Sequence, residues 1–109
     1  MRQLSAIGDN TVNGGFSPML VVDYQPDAFN VAVACQILTG GPTYKFQYTY
    51  DDPFTVAAGS IVWWDSSVII AQTVNKDQGI TTPFRACRVA VTAGTGTVKL
   101  IVTQSGPGI

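Results

Sequence analysis

Chemistry in this chain would have to come from a narrow set of side chains. There are seven Asp, no Glu, no His and two Cys, Cys35 and Cys87. Without His there is no imidazole base, no Ser-His-Asp or Cys-His arrangement and no His metal ligand. Asp51 and Asp52 are the only adjacent carboxylates. Calcium would need about six to eight oxygens, and no Asp-x-Asp-x-Asp-Gly loop is present to supply them. A glycosidase pair would need carboxyls held in a pocket, one with a raised pKa. Asp-Asp-Pro after a strand-like run is instead a turn signal. Gly94-Thr95-Gly96-Thr97-Val98-Lys99 superficially suggests a phosphate loop. Such a loop must open a helix whose N–H groups face the anion, and here β-branched residues follow. The segment reads as a hairpin turn. Two distant cysteines fall short of the roughly four ligands of a zinc site. They read as small buried hydrophobes, with a mutual disulfide as the minor alternative. No catalytic, cofactor-binding or metal-ligating residue is expected.

Binding is the better use for the remaining residues. Tyr44, Phe46, Tyr48 and Tyr50 share one strand face. Facing inward they are core; facing outward they could stack sugar rings or bases. Trp63 and Trp64 are adjacent, so a regular strand sends them to opposite faces. One can join the core and the other can anchor an interface. Arg85 and Arg88 are three apart and also diverge. Each either pairs with a turn Asp or, in a chain with only six cations, anchors a partner. Phe16, Trp63, Trp64, Arg85 and Arg88 are the candidate partner-interface residues.

The elements that must position them are strands. Val 13, Ile 8 and Thr 12 outnumber Leu 4 heavily, which is β composition. No segment fits an amphipathic helix without Gly or Pro interruption. Residues 1–16 are polar and Gly-rich, an expected arm or lead-in. Strands are expected over Ser17–Tyr24, Phe29–Thr39, Thr43–Tyr50, Ser60–Asp65, Val68–Val74, Phe84–Thr92 and Thr97–Gln104. Gly40-Gly41-Pro42 and Ala93-Gly94-Thr95-Gly96 read as hairpin connections. Asn75–Gly79 reads as a polar loop and residues 106–109 as a tail. About seven or eight strands at this spacing predict an all-β, antiparallel β-sandwich over 17–105, jelly-roll-like. An immunoglobulin-like sandwich is second, because the gap from Cys35 to Trp63 is too long for that pattern.

Length and charge narrow the partners. The chain has 109 residues, 12% charged residues and a net charge of −1. One domain fits. A nucleic-acid binder would need a basic face. No run reaches the roughly 18 apolar residues of a membrane helix, and no signal peptide is apparent. The expected site of synthesis is the cytoplasm, without secretion. Low surface charge favours a protein covered by partners.

A family resemblance adds to this. The aromatic strand ends in Asp51-Asp52-Pro53-Phe54, and a Trp strand follows. Then come Pro83-Phe84-Arg85-Ala86-Cys87-Arg88-Val89-Ala90-Val91-Thr92-Ala93-Gly94-Thr95-Gly96-Thr97-Val98 and Val102-Thr103-Gln104-Ser105-Gly106. From about Phe29 to Gly106 this pattern resembles small virion structural proteins of tailed bacteriophages, particularly capsid decoration or cement proteins. The resemblance implies a non-enzymatic homo-oligomer, dimer or trimer, bound on the outer capsid surface across junctions of the major capsid protein. No active site is carried over. The alternatives are a tail or fibre-associated protein with a receptor- or glycan-binding surface, and a small lyase or hydrolase relying on Asp and Tyr.

Overall fold

The alternation of apolar and polar residues becomes strand pairing in the computed structural model, which describes residues 2–9, 16–22 and 30–105. Eight strands form among the described residues: β1 (Arg2–Asp9), β2 (Leu20–Val21), β3 (Asn30–Gly40), β4 (Thr43–Thr49), β5 (Trp64–Asp65), β6 (Lys76–Ile80), β7 (Ala86–Ala93) and β8 (Gly96–Ser105). The helical content among the described residues is one 3-10 turn, Ala58–Ser60. Two antiparallel four-stranded sheets result, ordered β1-β8-β3-β6 and β2-β7-β4-β5.

The pairing is nested. β1 pairs with β8, β2 with β7, β3 with β6 and β4 with β5. A four-stranded half therefore folds back on the other half. Rolling this ribbon up adds the β3–β8 and β4–β7 ladders. This is the jelly-roll winding, and the expected sandwich class holds.

The connections differ from expectation. β3 and β4 are not a hairpin, and neither are β7 and β8; each pair straddles the two sheets. β3–β4 and β7–β8 instead run as one antiparallel ribbon bent at a corner. Leu38 is skipped in the β3–β8 register and Thr92 in the β4–β7 register. One bulge lies on each strand, so the shift made on entering the corner is undone on leaving it. Bulges of this kind bend a strand. The two crossings lie against each other, and the Gly41 amide donates to the Thr95 carbonyl at 3.1 Å. Gly40 and Gly94 adopt φ of 73° and 70°. A Cβ at Gly40 would collide with the Thr95 carbonyl, and one at Gly94 with the Gly41 carbonyl. Both conformation and space exclude a side chain at this corner.

Other boundaries also move. Residues 2–9, expected within an arm, are an edge strand paired along its length with β8, from Arg2 opposite Gln104 to Asp9 opposite Thr97. The sandwich thus includes residues 2–9. Lys76–Ile80, expected mostly as loop, pairs with β3 from Val31 opposite Ile80 to Cys35 opposite Lys76. Among the described residues, the strands expected over Ser17–Tyr24 and Ser60–Asp65 are two residues each, with Asp23 and Tyr24 outside the described residues. Val68–Val74 is bent, touching β4 through a Tyr44–Gln72 bridge. Residues 10–15 of the expected arm, the turn at Gln25-Pro26-Asp27 and the tail at 106–109 lie outside the described residues.

The core forms between the sheets. Val31, Val33 and Cys35 meet Val98, Leu100 and Val102 in one sheet; Tyr44, Phe46, Cys87, Val89 and Val91 face them from the other. Burying each large side chain contributes roughly 1.5–3 kcal/mol. At Gly8 of β1, an added Cβ would stand 3.0 Å from Val89 Cγ1, so this edge strand packs closely over the core.

Candidate interaction surface

Strand alternation decides what leaves the second sheet on its outer face. Tyr44 and Phe46 are fully buried, so Lys45 and Gln47 between and beside them point outward. On β7, Cys87 and Val89 are inward, which turns Arg88 outward. Register then sets three polar groups in a row across the strands. Gln47 lies opposite Arg88 on one side and Asp65 on the other. Arg88 Nε donates to Gln47 Oε1 at 2.9 Å, and Gln47 Nε2 donates to Asp65 Oδ1 at 2.9 Å. Lys45 Nζ closes the row at 3.2 Å from Asp65 Oδ1.

Two rings clamp the arginine. The Arg88 guanidinium carbon lies 3.9 Å from the Phe16 ring centroid and 4.2 Å from the Trp63 ring centroid. Phe16 arrives through a bridge to Ala90 of β7, on the β2 side of that strand. Trp63 arrives from the residue before β5. Both contacts are within cation–π range. Burial lowers the Arg88 pKa from its ordinary value. The Asp65 carboxyl is held below the usual range, chiefly by the Gln47 amide and further by Lys45, against a smaller opposing effect of desolvation.

Of the five expected interface residues, the fold brings together Phe16, Trp63 and Arg88. Trp64 points to the other face, as adjacency requires. It pairs in register with Tyr48, and its ring centroid is 6.2 Å from that of Tyr50. Neither Trp belongs to the buried core. Arg85 stands apart, with Nη1 3.5 Å from Asp52 Oδ2, which is the turn-Asp pairing. Gln47, Asp65 and Lys45 join the site without being among the expected interface residues. The outward positions of the Thr43–Tyr50 alternation carried the signal for two of them.

The other candidates settle into structural roles. Asp51 Oδ2 accepts the Val62 amide at 2.8 Å and Asp52 Oδ1 accepts the Phe54 amide at 3.0 Å. The pair organises a turn. Cys35 and Cys87 are buried free thiols. Burial pushes the Cys35 pKa up to about 12 and raises that of Cys87 as well. The Tyr44 hydroxyl donates to the Val74 carbonyl at 2.6 Å. Its pKa is pushed up to about 12, by burial first and by Cys35 second. Among the described residues, no three His, Cys, Asp or Glu side chains gather as a metal site would require. No helix there is long and apolar enough to cross a membrane.

No protein-family model and no curated protein sequence matches the chain. Among solved structures, one similar chain comes from Bacillus endospore appendages, described as a novel family of disulfide-linked pili. It aligns at 10% identity and a TM-score of 0.49, over 98% of this chain and 87% of that one.

Proposed function

We propose that this protein is a non-enzymatic virion structural protein that decorates a phage capsid. In this reading it is made in the host cytoplasm and sits on the outer capsid surface as a homo-oligomer. It bridges junctions of the major capsid protein and needs no cofactor. The observation that carries the reading is the Phe16–Arg88–Trp63 stack. It is an amphipathic anchor already held in place on an outer sheet face. A side chain ordered before contact costs little further entropy on binding. A guanidinium between two rings offers both apolar area and a directed charge, the composition favoured at interface centres. Many copies on a shell would multiply modest contacts through avidity.

Copy number in purified virions tests the proposal. One protein per capsid subunit, or a fixed small fraction of that, is the expected result. A few copies confined to the tail would overturn it in favour of a tail or fibre role. Phe16→Ala with Trp63→Ala should lower occupancy on isolated capsids while the isolated protein keeps its β-sheet circular dichroism.

A further inference from the structure

A second surface lies on the other side of β4, where the sandwich is open. The free margins of the two sheets meet there, bridged by Ser66 Oγ donating to Gln78 Oε1 at 2.7 Å. A cleft of about 250 Å³ opens beside this bridge, lined by Tyr48, Tyr50, Gln78, Thr81, Thr82 and Phe84 among others. We propose that this cleft binds the terminal ring of a neutral oligosaccharide, with the next sugar resting on Trp64. The proposal does not depend on the capsid reading.

Aromatic rings form one wall and lead outward from it. Phe84 is 5.8 Å from Tyr48, Tyr48 is 5.6 Å from Tyr50, and Tyr50 is 6.2 Å from Trp64, centroid to centroid. The series runs from buried Phe84 to half-exposed Tyr50 and Trp64. The C–H face of a pyranose lies flat on such rings, and an amphipathic ring suits the mixed wall.

The polar groups match sugar hydroxyls, which both donate and accept. Ser66 occupies the Gln78 carbonyl oxygen, which leaves the Gln78 amide N–H₂ without a partner among the described residues. The Thr81 and Thr82 hydroxyls likewise have none there. Among the described residues, no Asp, Lys or Arg lines the cleft, so a phosphate or carboxylate would meet no charged partner from them. That favours a neutral glycan over a nucleotide or an acidic sugar. The volume falls below the roughly 300–1,000 Å³ of pockets for larger ligands, in keeping with a single ring.

The test is titration of the isotope-labelled full chain with maltohexaose, cellohexaose and chitohexaose, with their monosaccharides and with sialyllactose. At least one neutral hexasaccharide should shift the amide resonances of Tyr50 and Gly79–Thr82. Trp64→Ala should weaken that hexasaccharide about two- to tenfold, the worth of one aromatic contact, and leave its monosaccharide unaffected. Thr81→Val with Thr82→Val should abolish both while preserving circular dichroism. The proposal is overturned if no neutral sugar shifts these residues. Sialyllactose binding equally well, or shifts persisting in the folded double Thr variant, would also overturn it. Capsid occupancy is read separately with Phe16 and Trp63 variants, so either idea can fail alone.

Discussion

The two sheets share a core but divide the work unequally. In β1-β8-β3-β6 the strands are 8, 10, 11 and 5 residues long. Among the described residues, the outer face there carries Ser5, Ile7, Ala32, Gln36, Lys99 and Thr103, and no aromatic ring. In β2-β7-β4-β5 both edge strands are two residues long. Yet Phe16, Trp63, Arg88 and the Gln47–Asp65 row all belong to that sheet or its margins. Regular pairing and the display of clustered aromatic and charged side chains are therefore separated. Short, interrupted edges offer little template for a stray strand. The same interruptions free Trp63 from the ladder and hold Phe16 by a single bridge, so the two rings can close over Arg88 from two sides. Past β5 the chain even places Ala71 at φ 51°, a conformation uncommon outside glycine.

The contrast can be broken in graded steps. The inner faces should be equivalent. Val33→Asp and Val89→Asp each put an unpaired charge at a fully buried position and should cost more than about 4 kcal/mol. Loss of the cooperative melt in both variants is expected; a normal melt in either would show that the cores are unequal. Gly94→Val at the corner comes next, at about 2–4 kcal/mol, from a forced positive φ and a backbone collision. The outer faces should then diverge. Arg88→Ala should lose about 1–2 kcal/mol in a denaturant titration and change Trp fluorescence, whereas Lys99→Ala on the regular sheet should stay within about 0.5 kcal/mol. The smallest effect concerns acid. Asp65 has a lowered folded-state pKa, so its stabilising contribution is complete above the ordinary carboxylate range and fades as pH falls through the folded value. Stability measured against pH should show a shallower acid limb in Asp65→Asn.

Inner faces were legible because burial imposes a period of two. Val31, Val33 and Cys35 alternate as plainly in the sequence as in the fold, and so do Cys87, Val89 and Val91. Turn signals were legible as reversals but not as to destination. Gly40-Gly41-Pro42 and Gly94-Thr95-Gly96 mark tight turns, and nothing local tells a hairpin from a crossing between sheets. The partner strands, far along the chain, decide that. β1 escaped for a related reason. Its inward residues Leu4, Ala6 and Gly8 shrink toward the core, so the alternation carries little hydrophobic contrast, and only pairing with β8 makes it a strand. The Arg88 clamp was half legible. Each aromatic and each arginine stood out by type, but Phe16 and Trp63 lie 47 positions apart, and register alone brings them to one guanidinium.

The nested pairing of β1 with β8 also orders events in time. Synthesis produces β1 first and β8 last, so the first strand waits for almost the whole chain before its partner exists. Through that interval a strand-forming segment with Leu4 and Ile7 has no ladder to join. Pairings this distant in sequence close slowly, and waiting strands are what chaperones cover. Refolding rate should therefore respond more to changes in β8 than to changes in the two-residue edges β2 and β5.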